Sequence, residues 1–593
     1  MKEQLIKQLA QTTKRLGISA DSFDLEYPEN PEHGDYSSNI AMAHAKALKM
    51  SPKALADKIV DEFKKDMPAC VESVSVAGPG FINFKIKDAV FAEQVVKGGK
   101  IEDLRFKIKD KNAKTKHKNI LIEYTDPNIF KVFHIGHLMS NAIGESLSRL
   151  IESSGANVTR LCYPSDIGLH IAKSIWAMKR HESEIPAEST SIQEKTDFLG
   201  KMYVEGTKAY EADPSVEAGK SGAGISAKDD IDALNKILYE KSSPAINALY
   251  EKGREWSLEH FELLYKRLDT KFDGYIYESE MAPVGLKIVK DFSKKRLFKK
   301  QVFVESDGAT VFKGEDYGLH TRVFINSHGL PTYEAKEMGL NVTKFKKYPK
   351  TDQSIVVTAS EQNDYFKVIG KALTLVDENV GKKTKHIGHG MLRFAEGKMS
   401  SRTGHVITAE ALIDDMKKMV IERVADRGFS SDEADEVADA VAIGAIKYTI
   451  LRQAIGSDVI FDSAKSISFE GDSGPYLQYS VVRANSIIEK AKKENIGFGV
   501  NGIEKLPEKV GLLEKLIIRF PDVVERASVD LAPQHVANYL INLAGAFNSF
   551  YAGNTIVSAE EPLSPYRIAL TKSFIATMSE GIHILGIRIP KRM

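Results

Sequence analysis

Asn119-Ile120-Leu121-Ile122-Glu123-Tyr124-Thr125-Asp126-Pro127-Asn128-Ile129-Phe130-Lys131-Val132-Phe133-His134-Ile135-Gly136-His137 decides the fold. Its first six residues are a short apolar run that suits a strand buried in a parallel sheet. Asp126-Pro127-Asn128 breaks the run. A helical pattern then opens near His134 and continues to Ser154, with Leu138, Ile143, Leu147, Leu150 and Ile151 on its apolar side and Gly155 as its stop. Val158 to Tyr163 reads as the next strand. Strand, helix, strand implies a doubly wound α/β fold of the nucleotide-binding kind.

Working outward, residues 1–105 form a small α+β unit. Helical patterns over 3–16 and 52–65 precede an alternating strand from Val71 to Val76, a Gly78-Pro79-Gly80 turn and a second strand, Phe81 to Phe84. The basic stretch 106–118 is read as a linker, and 119–405 as the nucleotide-type domain. Within that domain the polar, interrupted helical pattern of about 180–290 is an insertion, with a loop at Ser221-Gly222-Ala223-Gly224. Ser354 to Thr358 returns the chain to the sheet. Residues 406–593 are helix-periodic and read as a bundle.

A length of 593 residues calls for roughly three or four domains. Cys70 and Cys162 are too few for a disulfide framework or a thiolate zinc site, which fits a reducing compartment. No apolar run is long enough to span a membrane, and Leu5, Ile6, Leu9 and Leu16 make residues 1–16 an amphipathic helix rather than a signal peptide. The chain is expected in the cytoplasm. A net charge of +1 leaves any nucleic-acid binding to local patches. The basic runs Lys107–Lys118 and Lys294–Lys300 read as a solvated linker and a solvated helix face. Gly497 to Gly502 fits a GxGxxG pattern but follows a helix with no strand before it, so it is a helix stop.

The tetrapeptide His-Ile-Gly-His occurs twice, at 134–137 and 386–389. The first copy follows a strand and opens a helix, where free N–H groups and the dipole favour phosphate. His134 and His137 share one face of the first turn and can donate hydrogen bonds to a triphosphate. Gly136 leaves room for a purine, and Lys131 stands within reach of the same phosphates. The second copy has no helix after it and reads as an edge strand with incidental histidines. It leads into Lys398-Met399-Ser400-Ser401-Arg402-Thr403-Gly404, a loop with cations at both ends that suits charge developing on a leaving pyrophosphate.

His134–His137 and Lys398–Arg402, in this order, resemble the HIGH and KMSKS signatures of class I aminoacyl-tRNA synthetases. Ser401 stands where the second lysine of KMSKS is usual. Arginyl-tRNA synthetases often lack that lysine and carry one just before HIGH, as Lys131 does. The resemblance to that family extends over nearly the whole chain. It includes His33-Gly34-Asp35-Tyr36-Ser37-Ser38-Asn39, Ala77 to Phe84, the stretch Glu123 to His137, Gly474-Pro475-Tyr476-Leu477-Gln478-Tyr479, and the C-terminus through Met593.

It implies a class I Rossmann-like catalytic domain between an N-terminal tRNA-elbow domain and a helical anticodon-binding domain. It implies activation of arginine by ATP, accompanied by Mg2+, and transfer to tRNA. No structural metal and a monomer are expected. The resemblance nominates Lys131, His134, Gly136, His137, Lys398, Ser400 and Arg402 for catalysis. For arginine it nominates Glu123, Asn128, Tyr333, Glu337 and Gln362, with Glu337 where Asp is usual. For tRNA it nominates Phe81, Asn83, Tyr476, Tyr479, Phe547, Tyr551 and Met593. Ser165-Asp166-Ile167-Gly168 resembles the family's Gly-Asp-Trp-Gly without its tryptophan, and His170 replaces the usual Gln. Another class I synthetase, such as one for cysteine, and an inactive tRNA-binding relative are the alternatives. The first lacks cysteines for its zinc site. The second is expected to lose the signatures that this chain keeps.

Overall fold

The computed structural model describes residues 1–18, 23, 25–28, 30–98, 102, 104, 105, 108, 117–212, 226–297, 300–395, 407–497 and 503–593. Most of the expected linker, the loop at 221–224, Gly499–Gly502 and the stretch containing Lys398, Ser400 and Arg402 lie outside the described residues.

The chain forms two compact units. One gathers Met1–Asp103, Ala484–Phe520 and Ala546–Thr577; the other gathers Leu104–Arg483, Pro521–Gly545 and Met578–Met593. In the first unit, β1 (Tyr36–Ser38), β2 (Val71–Ala77) and β3 (Phe81–Ile86) make an antiparallel sheet in the order β1-β3-β2. Helices Lys2–Arg15 and Pro52–Lys64 bury Leu5, Leu9, Leu55, Ile59 and Phe63 in the same core as Val74, Ile82 and Phe84. Ser51 caps the second helix by accepting from the Ala54 N–H, and Pro52 occupies its first position. Gly80 turns the hairpin at φ +134°, and a Cβ there would fall 2.9 Å from the Pro52 backbone. Asp35 is fully buried, accepting from Ile86 N at 2.9 Å and pairing with Lys515 at 2.8 Å, so this part of the 33–39 motif serves the fold.

The second unit is built on a parallel sheet. Its first strands are β4 (Asn119–Glu123), β5 (Asn157–Cys162) and β6 (Gly274–Tyr275). Helices Ile192–Glu211, Ala227–Glu240, Pro244–Arg267 and Glu278–Lys294 belong to the expected insertion. The run Lys294–Lys300 is not a helix face. The helix ends at Lys294, and β7 (Arg296–Leu297) pairs antiparallel with β8 (Lys300–Gln301). Next, β9 (Val304–Ser306), β10 (Ala309–Phe312) and β11 (Arg322–Ile325) form an antiparallel sheet around Phe303, Phe312 and Phe324. These strands are too short for alternation to mark them.

β12 (Gln353–Ala359) and β13 (Thr384–His389) complete the five-stranded order β13-β12-β4-β5-β6. Every neighbouring pair is parallel, with Ile122 opposite both Arg160 and Ile355. β14 (Leu392–Phe394) pairs with β15 (Val459–Phe461), a strand inside the otherwise helical C-terminal region.

Helix Ile135–Ser153 is buried on every face from His137 to Ile151, not on one stripe. It packs on the sheet and against helices Ala409–Val424 and Ser431–Leu451. Its polar residues have partners: Ser140 donates to Val357 O at 2.9 Å, Ser146 donates to Ile584 O at 2.9 Å, and Arg149 pairs with Glu145 at 2.7 Å. Most buried polar groups in folded proteins are satisfied this way.

Candidate active site

In open α/β sheets, ligands sit beyond the carboxyl ends of the strands where the order changes direction. A cavity of about 550 Å3 lies there, lined by Glu123 at the end of β4, Tyr163 and Ser165 after β5, and Thr358 and Gln362 at and beyond the end of β12. All five residues nominated for arginine, Glu123, Asn128, Tyr333, Glu337 and Gln362, line this one cavity, as does Lys131. Tyr333 and Glu337 occupy the first two turns of helix Tyr333–Lys347 and reach the wall together because of their i, i+4 spacing.

The loop between β4 and the following helix is strained and firmly tied. Thr125, Asp126 and Phe130 have φ of +80°, +43° and +64°, each costing about 1–3 kcal/mol. Thr125 N donates to Ser140 Oγ at 2.9 Å and Phe130 N to Ser257 Oγ at 3.0 Å. Tyr163 N donates to Asp126 Oδ1 at 2.7 Å, and Asn128 forms a bridge with Ser165. The ties fix Asp126 and Asn128 against the cavity.

The cavity wall is dominated by carboxyl groups. Lys344 donates to Glu123 Oε2 at 2.7 Å in a pair almost wholly removed from solvent, so Glu123 is both a sheet-end ion pair and part of the wall. Glu278 pairs with Lys336 at 3.0 Å and accepts from Ser165 Oγ. Glu337 accepts from Asn341 Nδ2 at 2.8 Å. Burial and then the Glu123 charge push its carboxyl up to about 8. The same two causes hold Asp126 well above the usual carboxylate range. Among the described residues Asp126 and Glu337 have no cation of their own, and two such carboxyls beside a third make a site that gains from a bound guanidinium.

Asp126, Glu278, Arg322 and Tyr365 line the cavity but were not picked out by sequence. Asp126 sat in plain view beside Pro127-Asn128. Nothing local to the chain brings Glu278, in the first turn of an insertion helix, to β4.

His134 is the N-cap of helix Ile135–Ser153. Gly136 N donates to His134 Nδ1 at 3.1 Å, and His134 N donates to His137 Nδ1 at 3.3 Å. The rings stack with centroids 3.7 Å apart. Burial first, with Lys131 and, for His137, also His134, lowers both pKa values, so both rings are neutral at pH 7. With each Nδ1 accepting, each proton resides on Nε2, which makes two N–H donors.

Two expectations change. The N–H of Gly136 is spent on His134, and that of Ile135 donates to Ile407 O at 3.3 Å, so the imidazoles take over part of the donor role expected of the bare helix end. A Cβ on Gly136 would fall 2.9 Å from His134 Cε1, so glycine here makes room for the capping ring. Ile407 to Ala409, just after the nominated Lys398–Arg402 loop, is stitched to Phe133–Ile135, with Ala409 N donating to Phe133 O at 2.9 Å. Lys131 Nζ sits 4.6 Å from the Tyr203 ring centroid. Asp166 is wholly buried and accepts from Ser279 N at 2.7 Å and from Arg254 and Tyr250, which ties the insertion to the sheet.

Among the residues nominated for tRNA, Phe81 and Tyr551 are exposed, and Tyr476, Tyr479 and Met593 are half-buried. Phe547 is corrected: it is fully buried and stacked on Phe574 at 3.9 Å, so it offers no face to a base. Asn83 is likewise buried, its Oδ1 accepting from Ser37 at 2.7 Å. Both nominations rested on motif position, which does not tell core from surface.

Three family profiles divide the chain. "Arginyl tRNA synthetase N terminal domain" matches residues 3–86, "tRNA synthetases class I (R), catalytic domain" matches 101–463, and "DALR anticodon binding domain" matches 477–593. The chain is 31% identical over 597 residues to the arginine–tRNA ligase of Clostridium botulinum, covering 99% of each chain. It is 29% identical over 608 residues to that of Borrelia hermsii, covering 100% of this chain and 99% of the relative. Among solved structures, the arginyl-tRNA synthetase of Thermus thermophilus matches with a TM-score of 0.78 at 21% identity, covering 100% of both chains. That of Plasmodium falciparum matches with 0.76 at 20% identity, covering 100% of this chain and 99% of that one, and the two share this fold.

Proposed function

Since the chain belongs to the class I arginyl-tRNA synthetases, we propose that arginine is activated in the cavity at the carboxyl end of β4. The enzyme joins arginine to tRNA at the expense of ATP. What carries the placement is the set of carboxyl groups lining one cavity, Glu123, Asp126 and Glu337, with no cation paired to Asp126 or Glu337 among the described residues. The guanidinium fork takes their oxygens, and Asn128 and Gln362 hold the α-amino and α-carboxyl end.

In the first step an arginine carboxylate oxygen bonds to the α-phosphorus of ATP. The α–β phosphoanhydride bond breaks, leaving arginyl-adenylate and pyrophosphate. No covalent enzyme intermediate forms, so rate comes from positioning and charge. His134 and His137 donate through Nε2 to the phosphates, and Lys131 supplies positive charge. By the family resemblance, Lys398, Ser400 and Arg402 supply the remaining charge for the leaving pyrophosphate. A terminal ribose hydroxyl of tRNA then attacks the arginyl carbonyl, and AMP leaves.

ATP enters with Mg2+, whose charge offsets part of the triphosphate's. Residues 1–105 bind the tRNA elbow, 119–405 carry the chemistry after a linker at 106–118, and 406–593 bind the anticodon. Phe81, Tyr476, Tyr479, Tyr551 and Met593 are the remaining contact candidates. One chain supplies every nominated residue, so a monomer suffices. A cytoplasmic setting fits two cysteines that stay free; no helix among the described residues is long and apolar enough to cross a membrane.

The test is ATP–pyrophosphate exchange with cognate tRNA present. Arginine should support it, and citrulline, its uncharged counterpart, should neither support nor inhibit it. Exchange with another amino acid and not with arginine would overturn the reading.

A further inference from the structure

The second His-Ile-Gly-His is not catalytic by position, yet its His386 side chain touches two residues of the cavity wall. β13 runs parallel to β12 with Val356 opposite His386 and Thr358 opposite Gly388. One hydrogen bond joins Thr358 Oγ1 and His386 Nε2, 2.8 Å apart. The His386 ring lies flat on Phe366, centroids 4.0 Å apart and planes 8° from parallel. Thr358 and Phe366 both line the cavity. At Gly388 a Cβ would fall 2.1 Å from Asn363 Oδ1 and 3.1 Å from Ser360 Cα, so the turn Ser360–Gln362 rests directly on the strand. Three parts of the wall, the end of β12, the turn with Gln362 and the helix with Phe366, therefore lean on one tetrapeptide.

We infer that His386 is a positioning residue for arginine. By its hydrogen bond to Thr358 and its stack on Phe366 it fixes the part of the cavity wall made by the end of β12 and the segments that follow it. The inference rests on the cavity being the arginine site. It assigns the second tetrapeptide to amino-acid affinity and leaves phosphate chemistry to the first.

The experiment uses the full chain with cognate tRNA and measures kcat, the arginine KM and the ATP KM of exchange. His386→Phe keeps the flat ring and loses the hydrogen bond; His386→Gln can keep the hydrogen bond and loses the stack. Each should raise the arginine KM several-fold, and His386→Ala about tenfold, with kcat and the ATP KM unchanged. Thr358→Val should reproduce His386→Phe and add nothing to it in the double variant. An unchanged arginine KM, or arginine and ATP KM rising together, would show that His386 serves only the fold and would overturn the inference. Glu337→Gln is measured beside them. If it raises the arginine KM and the His386 variants do not, the pocket stands and this inference alone fails. If Glu337→Gln leaves the arginine KM unchanged, the pocket reading fails and the inference with it.

Discussion

The same four residues, His-Ile-Gly-His, open a helix at 134–137 and end an edge strand at 386–389. At the helix, backbone N–H groups occupy both Nδ1 atoms and leave two Nε2–H donors. On the strand, His386 Nε2 is engaged by Thr358 and His389 Nδ1 donates to Gly390 O at 2.7 Å. One pair of rings stacks on itself; in the other, His386 stacks on Phe366. Identical side chains thus differ in what they can offer a ligand because the backbone decides which nitrogen is already spent. A tetrapeptide is a site only together with the element that it begins or ends.

The comparison breaks most readily at the helix. His137→Ala removes one phosphate donor and should lower kcat for exchange by on the order of a hundredfold, with the arginine KM little altered. A rise confined to the arginine KM would erase the distinction between the copies.

Glu337 comes next. Its carboxyl is pushed up to about 8 by burial and the Glu123 charge, and a bound cation favours the ionised form. Binding arginine below that value therefore displaces a proton. Affinity should climb as pH rises toward about 8, by up to about tenfold per unit for one proton, and level off above. Calorimetry in buffers of different ionisation heat reads the released proton directly. Asp126 is held up by the same causes and shares the titration, so Glu337→Gln should lower the slope without abolishing it; a profile as steep as the parent's would place the titrating group elsewhere.

Gly388→Ala is the mildest. Asn363 Oδ1 can swing aside, but the Ser360 backbone must give, at a cost of about 1 kcal/mol. The arginine KM should rise about fivefold. Gly136→Ala presses instead on the His134 ring and should act on kcat. If both alanines changed the same constant, the two copies would not be doing different work.

Much of this was legible in the sequence. The strand ending at Glu123 and the helix capped by His134 followed from an apolar run, a Pro-Asn break and 3.6-residue periodicity. The edge position of the second tetrapeptide followed from the absence of a helical pattern after it. The five arginine candidates came from the family resemblance, and the fold brings them to one cavity.

What escaped depends on distance in the chain. Glu278 and Arg322 join the wall only through tertiary packing. The burial of Phe547 depends on Phe574, and no local pattern distinguishes it from exposed Tyr551. His386 looked incidental because its partners, Thr358 and Phe366, acquire meaning only once β12 and β13 are known to be neighbours.

The most direct test of the division between the copies is a pair of kinetic constants measured side by side. Exchange with cognate tRNA is followed for His137→Asn and His386→Phe, varying arginine at saturating ATP. The account predicts a crossed result: kcat falls in the first with the arginine KM kept, and the arginine KM rises in the second with kcat kept. The same constant moving in both variants would contradict it.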